Sequence, residues 1–239
     1  MIFLRSLAFN LFHYGSTTLV MIPGVVVHYL MPERALGLAI LWARVQVAAL
    51  RVICGIGVRV TGLEHLPRSG PALIASRHES AFDTLIWLTL VPRVSYVVKT
   101  ELTRIPVFGG LLRTSGMIPV DRAGGATAMR ELMRASQRAA RAERQIVIFP
   151  EGTRGEPDQL LPLQPGIAAL AASTHLPVIP VVTDSGRYWG RRAFRKYPGT
   201  IRIDILPPLP IGLKRPALMA RLETVLRDGM AHLAHENPP

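Results

Sequence analysis

The sequence predicts an α/β fold, a sheet with helices on both faces, preceded by an apolar pair of N-terminal helices. Three observations carry that prediction. Asp, Glu, Lys and Arg are absent from Ser6 to Pro32 and sparse as far as Ile56. From Gly57 onward, short β-rich runs alternate with segments of helical periodicity, the pattern of a sheet covered on both sides. The chain has 239 residues, of which 49% are hydrophobic and 18% charged, and that balance excludes disorder. The length suits one domain with an extension. Residues 1–57 are read as the helix pair and residues 58–239 as the α/β domain.

The first apolar segment is long enough to cross a bilayer, which takes roughly 20 residues. Pro23-Gly24 is expected to break it, and Asn10, His13 and His28 interrupt it. The second segment, 35–56, carries Arg44 and Arg51 seven residues apart, hence on one helix face, with Leu41, Val45, Ala48 and Val52 on another. That pattern fits a helix lying in the membrane interface better than one crossing it. A signal peptide is disfavoured, because the apolar stretch is too long and no small-x-small cleavage site follows. The pair is therefore expected to attach the chain to a membrane, with a buried soluble hairpin as the alternative.

Seven strands are predicted beyond it: Val58–Thr61, Ala72–Ser76, Val94–Val98, Met117–Val120, Gln145–Phe149, Val178–Val182 and Thr200–Leu206. Between them Thr127–Glu143 reads as a helix with Met129, Leu132, Met133 and Ser136 inward and Arg130, Arg134, Arg138 and Arg141 outward. Gly166–Thr174 and Pro216–His235 are further helices, and Phe82–Trp87 has helical character.

Net charge is +12, so the partners are expected to be anionic. Arg187 to Arg215 concentrates eight cations against Asp204, interleaved with Tyr188, Trp189, Phe194 and Tyr197. This suits anionic lipid head groups, with a solvated face as the plainer reading. No nucleic-acid-binding module is recognisable, and the oily front end counts against such a partner. Cys54 is the only cysteine, which excludes disulfide frameworks and cysteine-rich metal sites. Nucleophile elbows, Walker loops, dinucleotide fingerprints and zinc helices are all missing. An enzyme built this way would work by positioning and acid–base catalysis.

Two motifs can do such chemistry, and each follows a strand, where α/β sheets build their sites. In Arg77-His78-Glu79-Ser80-Ala81-Phe82-Asp83, a regular helix would leave His78 and Asp83 about 140° apart. They can meet only if His78 folds back over the first helical turn, where Asp83 would hold one imidazole nitrogen and free the other to take a proton. Alternatively, Ser80-x-x-Asp83 is an ordinary capping box that engages Asp83 with a backbone amide. In Phe149-Pro150-Glu151-Gly152-Thr153-Arg154, Gly152 allows close backbone approach, Thr153 offers a hydroxyl and Arg154 can grip a phosphate with paired hydrogen bonds. Glu151 could accept from a substrate hydroxyl, although a strand-ending turn with a surface ion pair would look the same. Lys99 and Arg122 follow two other strands and bring further cations to that edge.

Taken in order, these pieces resemble the motif blocks of the glycerolipid acyltransferase family. They are H-x4-D; K-x-E-L…P…G closing on Arg122; F-P-E-G-T-R; and Val178-Ile179-Pro180-Val181. The resemblance runs from about Val58 to Leu213 and is greatest to the bacterial 1-acylglycerol-3-phosphate acyltransferases. It implies a mixed sheet, His78 as the base on the glycerol hydroxyl and Asp83 as its orienting partner. It also implies that Glu151, Gly152 and Arg154, with Thr153, Arg122 and Lys99, hold the glycerol phosphate, and that Val178–Val181 line the acyl donor or the core. No metal and no resident cofactor are implied. Acyl-CoA or acyl-ACP would be co-substrate, lysophosphatidate the acceptor and phosphatidic acid the product. Implied partners are an anionic membrane surface at the cytoplasmic face of the inner membrane, and acyl carrier protein if that is the donor. Arg77 and Glu79 depart from the family, where many members carry neutral residues beside the histidine. Another lysolipid such as lyso-ornithine lipid, unacylated glycerol 3-phosphate, or a non-catalytic membrane-binding role are the alternatives.

Overall fold

A computed structural model describes residues 1–121 and 124–235. In chain order the elements are α1 (Ile2–Leu30), α2 (Ala35–Ala49, prolonged by a wide π-type turn, Leu50–Cys54), β1 (Ile56–Thr61), β2 (Ala72–Ser76), α3 (Phe82–Leu90), β3 (Val94–Lys99), α4 (Phe108–Thr114), β4 (Ile118–Val120), α5 (Gly125–Arg141), β5 (Gln145–Ile148), α6 (Gly166–Thr174), β6 (Val178–Thr183), α7 (Ser185–Tyr188), β7 (Gly199–Ile205) and α8 (Arg215–His235). All seven predicted strands are present, with ends displaced by two residues at most.

The strands form one sheet in the order β1-β7-β6-β2-β5-β3-β4. Every neighbouring pair is parallel except β6 and β7, so β1 and β7 run against the other five. The sheet is thus mixed. Strands β2, β5 and β6 are buried along their whole length, as central strands covered on both faces must be. Alternation along β2 splits the core. Ile74 packs with Phe82, Trp87 and Val147 on one face, whereas Leu73 and Ala75 pack with Leu132, Ile167 and Leu222 on the other.

The N-terminal helices belong to the first of these cores, to which they contribute Phe9, Ala43, Leu50 and Cys54. Gln46 ties them together, with its side chain 3.0 Å from His13 Nδ1 and donating to Ser16 Oγ at 2.8 Å. Pro23 does not break α1, contrary to the sequence expectation. Its ring costs one backbone hydrogen bond, but the next residue, Gly24, lies against Leu111 of α4 so closely that a Cβ would stand 2.9 Å from Leu111 Cδ1. Packing on α4 carries the helix through. On α2 the buried stripe is Ala43, Gln46, Leu50 and Cys54, and both the arginine row and the Leu41–Val52 row face outward. By length and composition the 23 residues Pro32–Cys54 are long and apolar enough to cross a membrane.

Candidate active site

The five co-directional strands β6-β2-β5-β3-β4 deliver their carboxyl ends to one edge of the sheet. That edge is where β2 leads into His78, β5 into Phe149–Arg154, β3 into Lys99 and β6 into Ser185. Sheet neighbours become site neighbours. Since β2 pairs with β5, the His78 ring stacks on Phe149 with centroids 4.0 Å apart and planes at 18°.

His78 does fold back before α3, and its Nδ1 lies 3.0 Å from Asp83 Oδ2. The same oxygen accepts the backbone N–H groups of Glu79 at 2.7 Å and Ser80 at 2.8 Å. Both sequence readings of Asp83 therefore hold at once, because one carboxylate has lone pairs enough for the cap and the imidazole. Its other oxygen, Oδ1, accepts a hydrogen bond from the hydroxyl of Ser185 at 2.6 Å. Ser185 was not a sequence candidate; it stands 102 residues downstream and reaches Asp83 only because β6 lies beside β2. With an acceptor-only carboxylate facing Nδ1, that nitrogen carries the proton and Nε2 is the basic one.

Gly152 has φ +73°, a left-handed conformation that would cost any L-residue roughly 1–2 kcal/mol, so the turn itself calls for glycine. Gly152, Thr153, Arg154, Lys99 and His78 all line one cavity of about 1260 Å³. Its apolar lining includes Val20 and Met21 of α1, Leu38 and Trp42 of α2, Leu88 of α3 and Leu111 of α4. Burial, and secondarily the charges of Arg191 and Arg192, push the Arg154 guanidinium below its ordinary value, while Asp83 acts in the opposite direction. Arg122 lies outside the described residues. Val178, Ile179 and Val181 are core residues of the sheet.

Glu151 is largely enclosed by the protein. It lines the cavity but is only 3% exposed, and its Oε1 accepts from Arg77 Nε and from the Leu161 amide, both at 3.3 Å. That oxygen is engaged inside the protein rather than held beside Arg154 for a substrate hydroxyl. Arg77, itself 1% exposed, also pairs with Glu79 at 2.7 Å and donates to the carbonyls of Glu156 and Gln159 at 3.3 and 2.8 Å. Glu79 Oε2 in turn accepts the Gly186 amide at 2.9 Å. Arg77 and Glu79 thus knit the histidine loop, the F-P-E-G-T-R loop and the start of α7 together. Their signal was visible as two charges flanking a histidine between apolar segments, although the sequence alone gave them no role.

This tie makes stability depend on pH. Burial pushes the Glu79 carboxyl up to about 8 from its ordinary 4.5, opposed by Arg77 and reinforced by Asp83. The native state then binds the proton more tightly than the unfolded chain. Stability from this group is fully present below its unfolded value and is lost as pH rises through its folded one. Glu79→Gln is expected to flatten the decline of the unfolding midpoint between about pH 4.5 and about pH 8, measured by chemical denaturation in detergent. An unchanged decline would exclude Glu79 as its source.

Comparison with known proteins gives a consistent result. The acyltransferase family model matches residues 57–184. The 1-acyl-sn-glycerol-3-phosphate acyltransferase of Pseudomonas aeruginosa is 34% identical over 181 residues, covering 76% of this chain and 70% of that protein. The protein of the same name from Limnanthes douglasii is 32% identical over 160 residues, with 66% and 56% covered. In structure the chain is similar to the 1-acyl-sn-glycerophosphate acyltransferase PlsC from Thermotoga maritima, with a TM-score of 0.78, 98% of each chain covered and 21% identity. That likeness establishes the fold, and the family follows from the extent of the sequence matches. The His78–Asp83 pair and the Phe149–Arg154 loop meet at one sheet edge, within a stretch that the family model spans almost entirely: the chain belongs to the acyltransferase family.

Proposed function

We propose that the chain transfers a fatty acyl group from an acyl thioester to the free sn-2 hydroxyl of 1-acyl-sn-glycerol 3-phosphate, giving phosphatidic acid. The observation that carries this reading is His78, held by Asp83 behind it, on the wall of the cavity that Arg154 also lines. His78 Nε2 takes the hydroxyl proton as the oxygen attacks the thioester carbonyl. The tetrahedral intermediate then collapses, the carbon–sulfur bond breaks, and the imidazolium returns the proton to the departing thiolate. No acyl-enzyme is formed. Asp83, fixed by two amides and Ser185, keeps the ring oriented and its Nδ1 protonated.

Arg154, Thr153 and the Gly152 turn, with Lys99 and Arg122, hold the phosphate and convert a bimolecular encounter into an oriented one. A phosphate grip favours lysophosphatidate over a phosphate-free lysolipid such as lyso-ornithine lipid. The apolar cavity walls suit acyl chains, and the donor is acyl-CoA or acyl-ACP. Exposed Phe3, Leu4, Leu11 and Leu19 on α1, and Leu41 and Val52 on α2, support attachment to a membrane. The nearby Arg44 and Arg51 suit an anionic cytoplasmic leaflet.

The test is direct. Full-length protein in detergent, given labelled acyl-CoA or acyl-ACP and lysophosphatidate, is expected to yield labelled phosphatidic acid. Binding to phosphatidic acid vesicles without any turnover would replace this reading with a non-catalytic one.

A further inference from the structure

The basic stretch from α7 through β7 contains arginines in two different situations. Some are neutralised within the protein. Arg187 pairs with Asp158 at 2.7 Å, and Arg202 pairs with Asp184 at 2.9 Å. Arg191 and Arg192 are not. They line the same cavity as His78 and Arg154, and Arg191 Nη1 donates to the backbone carbonyl of Arg154 at 3.3 Å.

The carboxylates around them are already committed. Glu79 and Glu151 face Arg77, Asp83 faces His78, and Asp158 and Asp184 hold the two arginines just named. Among the described residues, none of Arg154, Arg191 and Arg192 makes an ion pair. The charges of Arg191 and Arg192 push the Arg154 guanidinium down while Asp83 opposes them, so the crowding of three guanidiniums on one cavity is offset only in part and an incoming anion would relieve it further.

The strap that carries these two arginines is held in place. Lys196, 2% exposed, donates its backbone N–H to Ser6 Oγ at 2.9 Å, and its ammonium bonds Asn10 of α1 and the Phe194 carbonyl. The same ammonium lies 5.1 Å from the Trp189 ring centroid, and Phe194 packs on Phe3 with centroids 5.1 Å apart. Arg192 itself has φ +56°, a strained conformation for a residue other than glycine. The backbone that carries Arg192 at the cavity is thus part of a strap fastened to α1.

We propose that Arg191 and Arg192 join Arg154 in a phosphate-binding site on the cavity wall, which grips the phosphate of a phosphorylated substrate. This deepens the acyltransferase reading and rests on it for the choice of substrate. Two sources present the same chemistry: the phosphomonoester of the glycerol acceptor, and the phosphates of the phosphopantetheine-bearing donor. Arg191's hydrogen bond to the F-P-E-G-T-R loop favours the acceptor.

The experiment compares wild type with Arg191→Gln, Arg192→Gly and the double variant, using full-length protein in detergent and titrating lysophosphatidate and acyl-CoA separately. Arg192→Gly leaves the left-handed turn unstrained, so loss of folding does not confound it. The expected result is a rise of about tenfold in KM for lysophosphatidate with far less change in kcat, as when charge-assisted hydrogen bonds to a ligand are removed. Arg191→Lys should restore part of the affinity. A rise in KM for acyl-CoA instead would place the donor's phosphates there. Unchanged KM for both would overturn the site.

An arm without turnover separates this inference from the acyltransferase reading. Glycerol 3-phosphate is expected to raise the thermal unfolding midpoint of wild type and not of the double variant. If wild type showed no acyl transfer but kept that difference, the reading would fall and the phosphate site would stand. Equal shifts in the two proteins would overturn the site.

Discussion

His78→Ala is expected to lower kcat for acyl transfer by about 10²–10⁴-fold, the usual contribution of a positioned general base. The affinity for lysophosphatidate should change little, because the residues assigned to its phosphate lie on other loops. The fold should survive as well. The His78 ring is partly open to the cavity and stacks on Phe149, while the backbone carbonyl of the same residue, which accepts the Gly155 amide at 2.8 Å, is retained on substitution by alanine. Initial rates at saturating substrate, with circular dichroism and membrane flotation as controls, provide the measurement. Activity within tenfold of wild type in a folded His78→Ala protein would end the general-base mechanism. Asp83 is the less clean target. Its carboxylate accepts from Glu79, Ser80 and Ser185 as well as facing the imidazole, so Asp83→Asn would present an amide donor among donors and loosen the loop together with the chemistry.

Arg154→Ala is expected to reduce kcat/KM for lysophosphatidate by about 10–100-fold, carried mainly by KM, since hydrogen bonds to charged groups contribute roughly 1.5–3 kcal/mol. The backbone carbonyl of Arg154 remains available to Arg191, so the loop keeps that contact. Burial, Arg191 and Arg192 push the guanidinium below its ordinary value while Asp83 opposes them, so removing it relieves desolvation and like-charge repulsion and gives up the attraction to Asp83. An acceptor series tests the assignment. The penalty should be large for lysophosphatidate and small for a monoacylglycerol lacking the phosphate. Equal penalties for the two acceptors, or an unchanged KM for lysophosphatidate, would take Arg154 out of the phosphate site.

Much of the fold was legible because its elements repeat a local pattern. The strands β2, β5 and β6 are continuous apolar runs, and α5 shows an unbroken exposed row of arginines. Helix α4 was not legible. Its Phe108-Gly109-Gly110 start has poor helix propensity, with each glycine costing about 1 kcal/mol relative to alanine. Those glycines are required by tertiary neighbours, one of them far away in sequence. A Cβ on Gly110 would stand 2.7 Å from the His28 ring of α1, and one on Gly109 would stand 2.1 Å from the Thr103 carbonyl oxygen. The passage of α1 through Pro23 has the same origin, for α4 packs beneath it.

In the site, the sequence by itself determined which residue types stand at the ends of which strands. His78, Lys99, Glu151 and Arg154 could be placed there because apolar runs mark where strands stop. It could not determine which of those ends become neighbours. That follows from the order β6-β2-β5-β3-β4, which sets Ser185 against Asp83 and Phe149 against His78 across 102 and 71 residues. Nor could it say which cations are neutralised and which remain open to a ligand. Arg77 and Arg154 read alike as arginines after strands, yet one is sealed between Glu79 and Glu151 while the other lines a cavity with Arg191 and Arg192. Hydrophobic periodicity records how each segment meets its own surroundings. Ion pairing depends on distances of a few ångströms between separate segments, and those exist only once the sheet has assembled.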